Sequence, residues 1–279
     1  MDIKNHWESE GYCIFRAVYD QSAVNRLRLI SDGCLEKWRM SNPEEGKENG
    51  NEASTVMRHL NHPGYHEEKM ENQAYLLDAV AEPIILEKAA ELLGDDPLFR
   101  TTSYFFNPIT GGGDGNWHRD SQFNTAEDEA EQKLIQARIK SGSGIQMQIA
   151  LAASDDVEFV PRSHLRWDSS EEYRIRKSDD QVHNTSNQMP GAIRIALDPG
   201  DAVVFNPMGL HRGRYHIERI RRTLMWTYSK KTMPHQDYFT DQPWCLADNY
   251  LQDVKQGTAN FFEDFINEYQ TFWLSGLRE

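Results

Sequence analysis

The sequence predicts a mainly β protein, a β-sandwich or jelly roll with flanking helices. Two observations predict it. Between about residues 98 and 230 the chain breaks into short runs: LFRTTSYFFN, GIQMQIALAA, VEFVP, AIRIALD, DAVVFN and RTLMWTYS. They are rich in β-branched and aromatic residues and bounded by Gly, Pro, Asp and Asn, as strands are. On either side the apolar residues recur at helical spacing.

Taken in order, HWESEGYCIFRAVYD reads as a helix end, a glycine turn at Gly11 and a short strand, YCIF. SAVNRLRLISDGCLEKW is a helix with Ser22 as its N-cap. Residues 41–56 are polar and glycine-bearing and read as a mobile loop. QAYLLDAVAEPIILEKAAELLGDD gives two helices broken at Pro83 and stopped at Gly94. The charged stretch TAEDEAEQKLIQARIKSGSG (125–144) interrupts the strands. It reads as a solvated surface helix over the barrel mouth in preference to a lid that touches substrate. The tail from 245 is helical again. With no repeat and no linker, the 279 residues form one domain: a helical N-terminal region (1–97), a jelly-roll core (about 98–232) and a helical C-terminal tail (245–279).

The composition narrows the partners. A net charge of −14 argues against nucleic acid and anionic membranes. No stretch approaches the roughly 20 apolar residues of a membrane span. MDIKNHWESEGY lacks a secretory pattern, and Cys13, Cys34 and Cys245 form no paired motif. A cytoplasmic protein acting on a small molecule is the expectation.

The chemistry begins at WHRDSQF. In an extended chain His118 and Asp120, two apart, share a face while Trp117 and Arg119 point away. An imidazole and a carboxylate make two-thirds of a metal site. His211, at the end of PGDAVVFNPMGLHRG, lies several strands later and is the candidate third ligand. Two histidines and a carboxylate on one side of an ion suit non-haem Fe(II) oxygenases. Zinc in a hydrolase, or a metal-binding cupin-like module or isomerase, would use the same ligand types. RGRYHIERIRRTLMWTYS after His211 reads as strand, turn, strand, placing Arg222 opposite His211 and on a face with Leu224, Trp226 and Tyr228. A buried arginine needs an anion, and the remote carboxylate of 2-oxoglutarate is a candidate. An ion pair with Glu218 or Asp241 is the alternative.

Together GYCIFRAVYDQSAVNRLR, AEPIILEKAAELLGDDPLF, NWHRD, IQMQIALAASDDVEFVPRSHLRWD, PGDAVVFNPMGLHRG and RRTLMWTYS resemble, over roughly residues 7–230, the phytanoyl-CoA dioxygenase branch of the Fe(II)/2-oxoglutarate oxygenases. The resemblance implies a double-stranded β-helix, a cupin-like form of the jelly roll. It implies His118, Asp120 and His211 as iron ligands, Arg222 as the 2-oxoglutarate arginine, and Gln146 or Gln148 near that co-substrate. Hydroxylation by O2 with release of succinate and CO2 follows from the same likeness. One departure is plain: the family's Val-Pro-Gly-Ser-His is here Val160, Pro161, Arg162, Ser163, His164. Arg162 thereby becomes a candidate for holding an anionic substrate, and His164 is assigned to loop architecture.

Overall fold

In the computed structural model, which describes residues 2–125, 127–142 and 144–275, the first helix, α1 (Ile3–Glu10), is capped by the Asp2 side chain and ends at Gly11. Gly11 has φ +82°, and a Cβ there would sit 2.4 Å from His164 Nδ1, so both conformation and contact require glycine. β1 (Tyr12–Phe15) follows, then α2 (Gln21–Met40). The N-cap of α2 is Asp20, accepting from the Ala23 N–H, and Ser22 lies inside the helix. The 41–55 loop is tied down: Asn42 and Asn49 bond its own backbone, and Glu44 contacts His59 Nδ1 at 3.0 Å.

β2 (Val56–Arg58) falls within the region expected to be helical and leads to α3 (Met70–Val80) and α4 (Pro83–Leu93). Pro83 opens α4 at the position where a missing N–H costs nothing, and Gly94 closes it at φ +62°. β3 (Pro97–Phe106), α5 (Asp128–Ser141), β4 (Ile145–Ala150) and β5 (Ser154–Phe159) come next. A short helix, α6 (Ser170–Arg176), precedes β6 (Ile193–Leu197), β7 (Ala202–Phe205), β8 (His211–Gly213) and β9 (Arg222–Lys230). α7 (Gln256–Ser275) ends the described chain, and the last four residues of the expected helical tail lie outside the described residues.

The strands form two antiparallel sheets, one of six strands in the order β1-β7-β4-β9-β3-β2 and one of three in the order β6-β5-β8. Both outer strands of the larger sheet, β1 and β2, come from the N-terminal region. Alternation then sorts the side chains. Met147, Ile149, Val204, Leu224, Trp226 and Tyr228 pack against the helices in the larger apolar core. Ala150, Val203 and Phe205 face Val157, Phe159, Ile195 and Leu197 of the smaller sheet. The functional cavity opens beside this inter-sheet layer.

The predicted pairing of the His211 and Arg222 strands is corrected. β8 pairs with β5, whereas β9 pairs with β3 and β4, so the two strands belong to different sheets. Residues 214–221 form an irregular connection instead of a hairpin.

Candidate metal centre and its cavity

His118 meets His211 in an isolated antiparallel bridge, each N–H donating to the other's carbonyl at 3.0 Å. A short 3₁₀ turn starts immediately afterwards, at Asp120. Extended backbone at His118 followed by that turn brings the carboxylate back to the histidines. The ligand-capable atoms of His118, Asp120 and His211 all lie within 4.8 Å of one another. Asp120 Oδ1 is 3.8 Å from His118 Nε2 and 3.5 Å from His211 Nε2.

The neighbours fix which atoms are available. His118 Nδ1 is 2.8 Å from the Asn116 carbonyl and His211 Nδ1 is 3.0 Å from that of Gly209. Each Nδ1–H is thus committed to an acceptor, and both Nε2 lone pairs are left free. Gln146 donates to Asp120 Oδ2, so Oδ1 alone points between the imidazoles. Burial, then the charge of His118, holds His211 well below the ordinary histidine value, which keeps it neutral. Enclosure raises the Asp120 carboxyl, opposed by His118, Arg58 and Gln146. Two imidazole nitrogens and one carboxylate oxygen are the donor set that Fe(II) takes.

Between the ligands, Arg119 turns outward and is fully buried. It donates to Asp168 at 2.8 Å and to the carbonyls of Ser163 and Met208 at 2.7 and 2.5 Å. Arg176 holds the other Asp168 oxygen at 2.6 Å and also Glu131 on α5, which in turn accepts from Ser121.

The metal ligands open into a cavity of about 900 Å³. Gln146 and Gln148 both line it, as alternation requires. Leu134 and Arg138 line it too, so α5 forms a section of its wall and is not merely a solvated surface helix. Two expectations fail here. Arg222 lies on the helix-facing side of β9, with Leu224, Trp226 and Tyr228 as read from the sequence, but that side is the core. Its Nε donates to Asp32 of α2 at 2.9 Å. Arg162 has a side chain 72% exposed, is paired with Glu10 at 2.8 Å, and does not belong to the cavity wall. It occupies the left-handed conformation, φ +66°, that the family's glycine would take there. His164 is buried in the same loop with Nε2 near the Glu8 carbonyl, as a structural residue.

The arginine that faces the cavity is Arg221. It is buried, lies over the rings of Tyr215 and Phe105 at 4.4 and 5.1 Å, and donates to the Arg214 carbonyl at 2.9 Å. Its second terminal nitrogen is 3.5 Å from Gln148 Oε1, its Nε has no hydrogen-bond partner, and among the described residues no carboxylate pairs with it. A signal for it was present in the sequence. On β9 the odd positions Thr227 and Ser229 are polar and line the cavity together with Met225, whereas Leu224, Trp226 and Tyr228, at even positions, are large and apolar and pack against the helices. Arg58, on the strand missed by sequence reasoning, also lines the cavity.

Comparison with known proteins places the chain in a family and fixes its fold. Residues 7–223 match the phytanoyl-CoA dioxygenase (PhyH) family. None of the curated proteins matches the chain in sequence. Among solved structures, AviO1 from Streptomyces viridochromogenes Tue57 superposes with a TM-score of 0.59 at 17% identity, over 84% of this chain and 96% of that one. EctD from S. alaskensis, solved with 2-oxoglutarate and 5-hydroxyectoine, gives 0.58 at 14%, over 85% and 78%. SnoK, a non-heme alpha ketoglutarate dependent carbocyclase from nogalamycin biosynthesis, gives 0.56 at 17%, over 82% and 83%. At such identities the likeness establishes the fold, the double-stranded β-helix with flanking helices.

Proposed function

Because this chain belongs to the phytanoyl-CoA dioxygenase family, we propose that it is an Fe(II)- and 2-oxoglutarate-dependent oxygenase that hydroxylates a small molecule, releasing succinate and CO2. Residues 1–279 work as one catalytic domain in this reading, since the N-terminal region supplies both outer strands of the larger sheet. His118 Nε2, Asp120 Oδ1 and His211 Nε2 hold the iron. When bound, iron and 2-oxoglutarate supply the oxygen-activating chemistry.

The protein's own work is positioning. Gln146 fixes the orientation of Asp120 by occupying its second oxygen. Arg221 takes the distal carboxylate of 2-oxoglutarate, with Gln148 and the Arg214 carbonyl bracing the guanidinium fork. Phe205 and Met225 in the cavity wall exclude water around the reacting carbon.

The observation that carries this reading is Arg221 itself, a buried guanidinium without a carboxylate partner among the described residues, in the same cavity as a two-histidine, one-carboxylate cluster. A burial of charge so costly implies an anion that arrives with the ligand. A zinc hydrolase or a metal-binding cupin-like module gives Arg221 nothing to hold. The neighbours include a carbocyclase as well as EctD, so the fold is compatible with more than one outcome at the substrate. Anaerobic titration of the Fe(II) protein with 2-oxoglutarate tests the reading. A saturable visible charge-transfer band, absent from His211→Ala, is expected; an unchanged spectrum in the wild-type protein overturns it.

A further inference from the structure

We propose that the substrate is an organic carboxylate with an apolar, aromatic-compatible body, and that Arg58 is the residue that holds its carboxylate. The proposal rests on the oxygenase reading above, because it reserves Arg221 for the co-substrate and assigns the remaining cavity to the substrate.

The cavity is cationic inside an acidic protein. The chain carries a net charge of −14, yet Arg58, Arg100, Arg138, Arg212, Arg221 and Lys230 line the cavity, against only Asp120 and Asp237 among its wall residues. Several of these cations are already engaged. Arg100 is paired with Asp237 and Arg212 with Glu158. The Lys230 ammonium donates to the Ser141 carbonyl at 3.0 Å. Arg221 belongs to 2-oxoglutarate.

Arg58 and Arg138 remain, with no acid partner among the described residues. Of the two, Arg58 is the better placed. It ends β2 on rigid sheet, paired in register with Ser103 of β3, whose Oγ accepts from one terminal nitrogen at 2.7 Å. That single hydrogen bond fixes the guanidinium and leaves its other N–H donors without a partner among the described residues. Arg58 shares the cavity wall with His118, Asp120 and His211. An anion bound to it occupies the same cavity as the metal ligands, where an oxidised substrate must sit.

Aromatic rings prepare the rest of the site. The Arg58 guanidinium lies 5.5 Å from the centre of Phe105 and 5.2 Å from that of Phe239. Phe123 stands over His118 with ring centres 5.6 Å apart. Cation–π contact alone compensates weakly for withdrawing a guanidinium from water. Two flanking rings do, however, shape a slot where a planar carboxylate meets the fork bidentately and an apolar body continues along the rings. Arg138, on α5, adds a second positive charge at the cavity wall and draws an anion inward.

The test uses the Fe(II) protein under anaerobic conditions with saturating 2-oxoglutarate, and three probes: 3-phenylpropanoate, its neutral amide, and 3-phenylpropyl phosphate. Binding is read by ligand-observed NMR, and the 2-oxoglutarate charge-transfer band is read separately. The carboxylate is expected to bind wild-type protein saturably and at least ten-fold tighter than the amide. Arg58→Gln is expected to abolish that preference and leave the 2-oxoglutarate titration unchanged, with Arg58→Lys in between. Equal binding of acid and amide to the wild-type protein, no binding of the acid, or an unchanged preference in Arg58→Gln overturns the proposal. Tighter binding of the phosphate ester than of the acid overturns the choice of a carboxylate. Loss of the charge-transfer band in Arg58→Gln assigns the residue to 2-oxoglutarate instead. A wild-type protein that shows no band at all sinks the oxygenase reading and not the anion site, which the NMR arm reports independently.

Discussion

Arg221 and Arg222 are consecutive in the chain, yet their guanidinium groups lie on opposite sides of the six-stranded sheet. Arg221 is over Phe105 and Tyr215 in the cavity, and Arg222 is on Asp32 of α2 among the helices. Arg221 ends the irregular 214–221 connection and Arg222 opens β9, so the chain changes sides at the start of the strand. Arg221→Ala is therefore expected to weaken 2-oxoglutarate binding by on the order of 2–5 kcal/mol, as for loss of one partner of a buried charge pair. Arg222→Ala removes a partly exposed ion pair worth about 1 kcal/mol or less in stability and leaves the co-substrate KM near wild type. Steady-state kinetics in 2-oxoglutarate decides between them, and the reverse order would falsify the assignment.

Gly213 sits at the end of β8, and a Cβ placed on it would fall 2.6 Å from a terminal nitrogen of Arg221 and 2.8 Å from the Tyr215 hydroxyl. Both are ends of side chains, so the fold can yield while the guanidinium cannot stay where it is. Gly213→Ala is expected to raise the 2-oxoglutarate requirement about ten-fold or more with little change in melting temperature, on the reasoning that small displacements of positioning groups are expensive. A variant with wild-type co-substrate affinity would show that Arg221 is not the anchor.

Arg119 holds both ends of the metal site. Its hydrogen bonds to the Ser163 and Met208 carbonyls tie the His118–Asp120 segment to the turn after β5 and to the loop before His211. Arg119→Met leaves Asp168 buried beside Arg176 alone, at a cost of about 3–5 kcal/mol by comparison with other broken buried pairs. Chemical denaturation should register that loss. Weaker Fe(II) binding should accompany it, measured by metal titration at a temperature where the variant is still folded. Undiminished stability would mean that Arg176 and Glu131 suffice without it.

As one of the three residues that would hold the iron, Asp120 would take a coordination position that a halide would otherwise need. With a carboxylate there, product formed in the presence of chloride or bromide is expected to carry hydroxyl, or another oxidation from the same hydrogen abstraction, and no halogen. Product mass spectrometry settles it, and a halogenated main product removes Asp120 from the ligand set.

Much of this site was legible in the sequence for a physical reason. His118 and Asp120 sit two apart in the sequence, His211 ends a segment many residues later, and the glutamines on IQMQIAL alternate as a strand must. What misled was a face and not a periodicity. Arg222 was correctly grouped with Leu224, Trp226 and Tyr228, but large apolar residues mark the helix-packed side, and the polar Thr227 and Ser229 mark the cavity. β2 went unseen because three residues, Val-Met-Arg, are too few to show alternation. The role of Arg58 went with it. Arg162 was drawn toward substrate by its charge alone, while its backbone, not its side chain, is what the loop uses.

The seating of β1 against β7 sets a timetable for biosynthesis. Tyr12 pairs with Phe205 and Phe15 with Ala202, so the first strand made waits about 190 residues for its partner. At roughly 5–20 residues per second that is about 10–40 s of translation. β3 waits for β9 in the same way. A chain governed by such distant pairings folds slowly and exposes apolar strands meanwhile. His211 is itself held by β5 on one side and the His118 bridge on the other. A metal ion has no complete ligand set to act on until His211 has been made, some three-quarters of the way along the chain.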